Sequence, residues 1–145
     1  MNRSIATKGR LVFNLDPPIE TDQELEVWVG GPVEPQSTWI LIGAEAGSEE
    51  AREGTLIGDG LYLSRSPGLL RRLLAADPPP NTRLILGCAA WGPGQLEAEL
   101  HASAWLMSDV SRGLIFDTPP ERMWETAIRR LGADPSTLQM SRGVH

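Results

Sequence analysis

The stretch Gly87–Trp105 (GCAAWGPGQLEAELHASAW) holds the residues of this 145-residue chain best placed for chemistry. Trp91, Gly92 and Gly94 lead into Gln95, Glu97, Glu99 and His101, and Trp105 closes the stretch. Three chemistries come into view. Free N–H groups where a helix starts after Gly92-Pro93-Gly94 would suit an anion, but Glu97 and Glu99 already bring negative charge there, so self-capping is expected. Glu97 and Glu99 form no acid–base pair, because residues two apart on a helix diverge by about 200°. Glu97 reaches His101 at i,i+4, a spacing for an acid–base couple or, more simply, a local surface contact. Trp91 and Trp105 are large enough for a binding platform, yet tryptophans beside apolar strands are expected in the core with a satisfied indole N–H. The exposed face of Gln95, Glu97 and His101 is thus the candidate surface, and no residue is assigned a catalytic role.

Other candidates are weaker. Cys88 ends an apolar strand, where a buried thiol is inert, and no His or Asp stands at a triad-like spacing. Gly30-Gly31-Pro32 is neither a dinucleotide fingerprint nor a P-loop and reads as a structural turn, with Gly87 and Trp105 further structural positions. Ser64 and Ser66 lack a nucleophile elbow. Arg71, Arg72 and Arg83 make a small basic patch of solubilising charge. One cysteine and two histidines leave no expected metal site or disulfide, and no cofactor is expected.

The elements that position these residues follow from periodicity and punctuation. Gly9–Leu15 reads as a strand stopped by Asp16-Pro17-Pro18. Leu25–Val29 alternates with period two, and Thr38–Gly43 is a second β run after a loop at Val33–Ser37. Glu45–Gly54 reads as an exposed loop. Thr55–Ile57 and Leu61–Leu63 flank Gly58-Asp59-Gly60, a hairpin turn. Ser66 and Pro67 are an N-cap and first helical residue ahead of Leu69, Leu70, Leu73 and Leu74, an apolar stripe at helical spacing. Thr82–Leu86 is a strand running into the motif. Trp105–Met107 and Leu114–Phe116 read as short strands. Thr118 and Pro119 open a helix to Leu131 with Met123, Trp124, Ala127, Ile128 and Leu131 inward, and Gly132 follows as its C′ residue. Asp134-Pro135-Ser136 caps one more short turn. Without βαβ alternation, this pattern favours an α+β fold over a doubly wound sheet.

Composition bounds the class. Hydrophobic residues make up 41% and charged residues 22%, as in one ordinary globular domain, here residues 1–145. Residues 1–8 are expected to be a solvated basic arm. No run approaches the roughly 20 apolar residues of a membrane span, and the N-terminus has no secretory apolar stretch. A cytoplasmic setting is expected. The net charge of −6 is concentrated in residues 11–64, where eleven acidic side chains face Arg52 alone. Such a surface lacks the basic footprint of a DNA-binding domain.

Taken in order, Gly30-Gly31-Pro32-Val33, Gly58-Asp59-Gly60-Leu61, Gly87–Trp105, Leu114-Ile115-Phe116 with Thr118-Pro119 and Trp124, and Gly143 resemble the YqgE/AlgH family over residues 9–145. The resemblance implies coiled or branched, mostly antiparallel β-sheets with two or three interspersed helices, no known cofactor and a bacterial cytosolic protein. Members are commonly labelled transcriptional regulators, and their biochemistry is unsettled. The chain departs from the family pattern where members carry a further N-terminal strand segment, at Gly43 where many have histidine, and at Ala90 where glycine is usual. A sheet edge left open by the shorter N-terminus would call for a second copy or a protein partner. The expected function is a non-enzymatic, regulatory one exercised through protein contacts. The alternatives are a small-ligand binder or enzyme using a cleft near Trp91, Gln95 and Glu97, and a nucleic-acid-binding regulator.

Overall fold

The computed structural model describes residues 4–7, 11–13, 19–21, 25–76 and 79–142. Its strands are β1 (Ser4–Thr7), β2 (Leu11–Phe13), β3 (Ile19–Thr21), β4 (Leu25–Val29), β5 (Val33–Gly43), β6 (Thr55–Gly58), β7 (Leu61–Ser64) and β8 (Thr82–Cys88). Helix α1 (Glu49–Arg52) precedes β6, α2 (Pro67–Leu74) precedes β8, and α3 (Gln95–His101), α4 (Pro120–Arg130) and α5 (Pro135–Arg142) follow. A five-residue π-helical turn covers Gly113–Asp117. Six strands form one sheet in the order β1-β4-β8-β5-β7-β6, and β2 and β3 pair separately. Every described pairing is antiparallel except β4 with β8. The fold class is α+β, with five α-helices and the π-helical turn among the described residues where two or three helices were expected.

Alternation along the central strands gives the sheet two apolar faces. On one face Val27, Ile40 and Leu84 meet Leu69, Leu70, Leu73 and Leu74 of α2, all buried. Ser66 caps α2 by accepting from the Leu69 N–H, with Pro67 at its first position. Burying each leucine stabilises the fold by about 1.5–3 kcal/mol. On the other face Trp28, Leu41, Leu61 and Ile85 form a second cluster, against which Trp39, Leu63, Ile115 and Phe116 pack. The sheet is therefore covered on both sides, by α2 and by the π-helical turn.

Several expectations are corrected. Ser4–Thr7, expected within a solvated arm, pairs with β4. Val33–Ser37 is not a loop: β5 starts at Val33, opposite Cys88, and a bulge before Thr38 absorbs the irregularity. The expected loop at Glu45–Gly54 contains α1, capped by the Ser48 hydroxyl, which accepts from Ala51 N at 3.2 Å. Trp105–Met107 is exposed and non-repetitive, and Leu114–Phe116 is helical. That turn is closed at both ends by side chains: the Ser111 hydroxyl accepts from Leu114 N, and Thr118 Oγ1 donates to Gly113 O at 3.1 Å. Thr118 is thereby engaged away from α4, which starts at Pro120 without a side-chain cap. In α4 Ile128 is buried, but Trp124 and Leu131 are largely exposed. Gly58-Asp59-Gly60 is the hairpin turn, with Asp59 and Gly60 both at positive φ as a tight two-residue connection requires.

Candidate functional site

Strand β8 delivers the chain to the motif through a close crossing of backbones. A Cβ on Gly87 would lie 2.3 Å from the Gly31 carbonyl oxygen, and Gly87 itself sits at φ +72°. A Cβ on Gly30 would lie 2.2 Å from the Gly87 oxygen, and one on Gly31 2.3 Å from the Cys88 oxygen. The exits of β4 and β8 thus interlock in a space that admits only glycine. Pro32, exposed beside them, follows directly before β5. Cys88 is half-buried at the end of β8.

Beyond this crossing the chain turns through Trp91–Gly94 into α3. Gly94, at φ +74°, is the N-cap and offers no side-chain cap. Gln95 closes the turn instead. Its Oε1 accepts from Gly92 N at 3.0 Å, and its own backbone N–H donates to Gly92 O at 3.1 Å. At the other end Ser103 adopts φ +56° and Ala104 N donates to Glu99 O at 2.9 Å. This reversal returns Trp105 to the flank of the helix.

The centre of the site is Glu99. Its Oε2 accepts the indole N–H of Trp91 at 3.1 Å and that of Trp105 at 2.6 Å, while Oε1 accepts Gln95 Nε2 at 3.0 Å. The two indoles meet edge to face, with centroids 5.8 Å apart and planes at 71°. Hydrogen bonds from Trp105, then Gln95, then Trp91 hold the Glu99 carboxyl below its ordinary pKa. Glu99 is half-buried, whereas Trp91 and Trp105 remain 38% and 49% exposed. Neither tryptophan is a core residue, because α3 buries none of its own side chains and so brings no apolar wall to cover them.

The structure thus gathers Trp91, Gly92, Gln95 and Trp105 around Glu99 and leaves Glu97 and His101 outside. Both are exposed, and among the described residues no hydrogen bond or ion pair joins them. The motif is clasped by Glu99, whose i,i+2 spacing from Glu97 rules out acid–base pairing but not this role. The spacing that could have found it is Gln95–Glu99, four residues apart and therefore on one face. A polar groove of about 280 Å³ lies elsewhere, along α4, lined by Asp117, Thr118, Arg122, Glu125 and Arg129 among others. Among the described residues no group of three His, Cys, Asp or Glu side chains could hold a metal ion.

From Trp105 the chain continues through Leu106, Met107 and Val110, which are 54%, 72% and 43% exposed. This segment is anchored at its far end. Val110 lies over Gly58, Arg112 N donates to Asp59 Oδ2 at 2.7 Å, and the Arg112 guanidinium fills the space a Cβ on Gly43 would take.

A second residue also stands apart from its expected role. Arg83, expected in a surface patch, is 8% exposed. Its guanidinium lies 3.8 Å from the Trp28 ring centroid, donates through Nη2 to the Ile115 carbonyl, and leaves Nη1 without a partner. Desolvation lowers its pKa, and the Glu26 charge opposes the shift. The strand TRLIL carried the signal, since alternation puts Arg83 on the same face as Ile85. Arg83 ties the π-helical turn to the sheet. Of the other two arginines in that patch, Arg72 pairs with Glu53.

The fold is of the α+β class, and comparison with known proteins gives the family. The AlgH-like family model matches residues 1–136, and the chain belongs to that family. It is 42% identical over 118 residues to a UPF0301 protein of Anaeromyxobacter sp. (strain K), covering 81% of this chain and 59% of the relative. A UPF0301 protein of Myxococcus xanthus (strain DK1622) is 38% identical over 123 residues, or 85% of this chain and 65% of that one. The solution structure of the AlgH protein from Pseudomonas aeruginosa superposes with a TM-score of 0.62 at 32% identity, covering 81% of this chain and 60% of that one. The chain therefore spans about three fifths of the length of these relatives. Among the described residues no helix is long and apolar enough to cross a membrane.

Proposed function

We propose that this protein acts without a catalytic step, through contact with another protein in the cytoplasm, in a regulatory role. The contact surface is the segment from Trp91 to Val110. The observation that carries this reading is that Trp91 and Trp105 are held by Glu99 yet stay exposed, and that Leu106, Met107 and Val110, which follow Trp105 in the chain, are exposed as well. Several exposed apolar side chains along one segment of a folded domain point to an interaction surface more than singly scattered ones do. Aromatic side chains fixed before binding lose little freedom on association, which favours them as anchors. The exposed and unjoined state of Glu97 and His101 supports a contact role over acid–base chemistry.

Affinity isolation of the tagged chain from its native host tests the reading. Met107→Asp introduces a charge at the most exposed apolar position of the segment, where folding is insensitive to it. Partners recovered with the unmodified chain and with Trp124→Ala, an exposed tryptophan outside the segment, should be lost with Met107→Asp. The same partners recovered with all three proteins would exclude this surface.

A further inference from the structure

The Trp91–Trp105–Glu99 cluster has a chemistry more specific than an apolar patch. Both indole N–H groups point at Oε2 of Glu99, so the polar edges of the rings are turned inward. Trp91 and Trp105 remain 38% and 49% exposed, and their ring carbons lie away from the bonded N–H edges. The faces of such rings carry negative partial charge. With planes at 71° and centroids 5.8 Å apart, the two indoles form a corner in which one cation can meet two ring systems. Behind the corner stands an anionic carboxylate. Its three side-chain partners, Trp91, Trp105 and Gln95, are all neutral, and among the described residues no basic side chain forms an ion pair with it. Gln95 holds the second carboxylate oxygen, which fixes the direction of the group. Leu106 and Met107, exposed next in sequence, offer apolar surface for a methylene stem. Residues 91–110 carry Glu97, Glu99 and Asp109 and no lysine or arginine, a local charge that favours encounter with basic partners.

We propose that the corner formed by Trp91, Trp105 and Glu99 receives the cationic end of a lysine or arginine side chain presented by a partner protein. The proposal rests on the contact reading above and supplies the chemistry of its anchor. The bound ammonium or guanidinium would lie on the indole faces, with the Glu99 charge at the bonded N–H edges of both rings and the aliphatic stem along Leu106 and Met107.

The test follows the indole Nε1–H signals of the full chain by ¹H–¹⁵N NMR at constant ionic strength. The probes are Nα-acetyl-lysine amide, Nα-acetyl-arginine amide, choline and its uncharged isostere 3,3-dimethyl-1-butanol. The lysine or arginine amide should shift the Trp91 and Trp105 signals saturably in the millimolar range and leave that of buried Trp28 in place. The uncharged isostere should act at least tenfold more weakly, and Glu99→Gln should weaken the response to the cations severalfold. No saturable shift with either amide, or an equal response to the uncharged isostere, overturns the proposal. Binding of choline without either amide overturns the side-chain assignment in favour of a free quaternary ammonium. The two readings also fail separately. Loss of partners with Met107→Asp but no response to the amides would retain the contact and remove the cation. Response to the amides with partners unchanged would retain the cation corner and remove the contact surface.

Discussion

Gly87→Ala tests whether the crossing of β4 and β8 holds the motif in place. Two costs arise at this position. The first is conformational: φ +72° is left-handed, and an alanine there costs about 1–2 kcal/mol. The second is steric: the new Cβ would lie 2.3 Å from the Gly31 oxygen and 3.2 Å from that of Val33. Backbone atoms cannot rotate away as a side chain would, so the strands must separate by roughly 1 Å to restore ordinary contact. Overpacking of this kind costs about 1–3 kcal/mol. The sum, about 2–5 kcal/mol, is a large share of a domain stability of roughly 5–15 kcal/mol. Gly47→Ala separates the two costs, because Gly47 sits at φ +85° with nothing within 4 Å of its Cβ position. Urea unfolding of both variants should show Gly87→Ala losing about 1–3 kcal/mol more than Gly47→Ala. Equal losses would mean that the close approach contributes nothing and that only backbone conformation matters. A folded Gly87→Ala should also move the Trp91 indole signal, since the strand that delivers the motif is displaced.

Three further outcomes follow from the same geometry. Ser66→Ala removes the cap of α2 and should cost about 1 kcal/mol by urea unfolding; a change within error would place the capping energy elsewhere. Arg83→Met keeps volume against Trp28 and Phe116 while removing a buried charge with an unpartnered Nη1, so it should be at least about 1 kcal/mol more stable than the cavity-forming Arg83→Ala. Equal destabilisation would show that the charge itself is required. Because the folded-state pKa of Glu99 is lowered, its contribution is present above the ordinary value of 4.5 and is lost as pH falls through the lower folded-state value. The titration midpoint read from the Trp105 indole N–H signal should therefore lie below 4.5. A midpoint above 4.5 would contradict the clasp.

The parts legible in the sequence were those with local punctuation. Ser66-Pro67 and four leucines at helical spacing define α2 without tertiary help, and Asp59-Gly60 defines the β6–β7 turn. The turn at Leu114–Phe116 was not legible because three consecutive apolar residues fit a strand or a helix equally well. Its helical state depends on Ser111 and Thr118 closing it from outside. Helix α1 is four residues long, too short to show a period, and β1 is defined only by pairing with β4. At the site, the sequence located the Gly87–Trp105 motif but not its centre. The exposure of Trp91 and Trp105 depends on how little of α3 touches the sheet, which no local pattern encodes. Glu99 was within reach, since its partners lie four, six and eight residues away in the chain.

The contact account is tested most directly by site-specific photocrosslinking in living cells of the native host. A photoreactive amino acid at position 107, in the exposed segment after Trp105, is compared with one at Ala46, exposed on the loop before α1. The expected result is a discrete adduct of this chain with a partner protein at position 107, absent at 46 and abolished by adding Trp105→Ala. No adduct at position 107, or the same adducts at both positions, would contradict a contact surface between Trp91 and Val110.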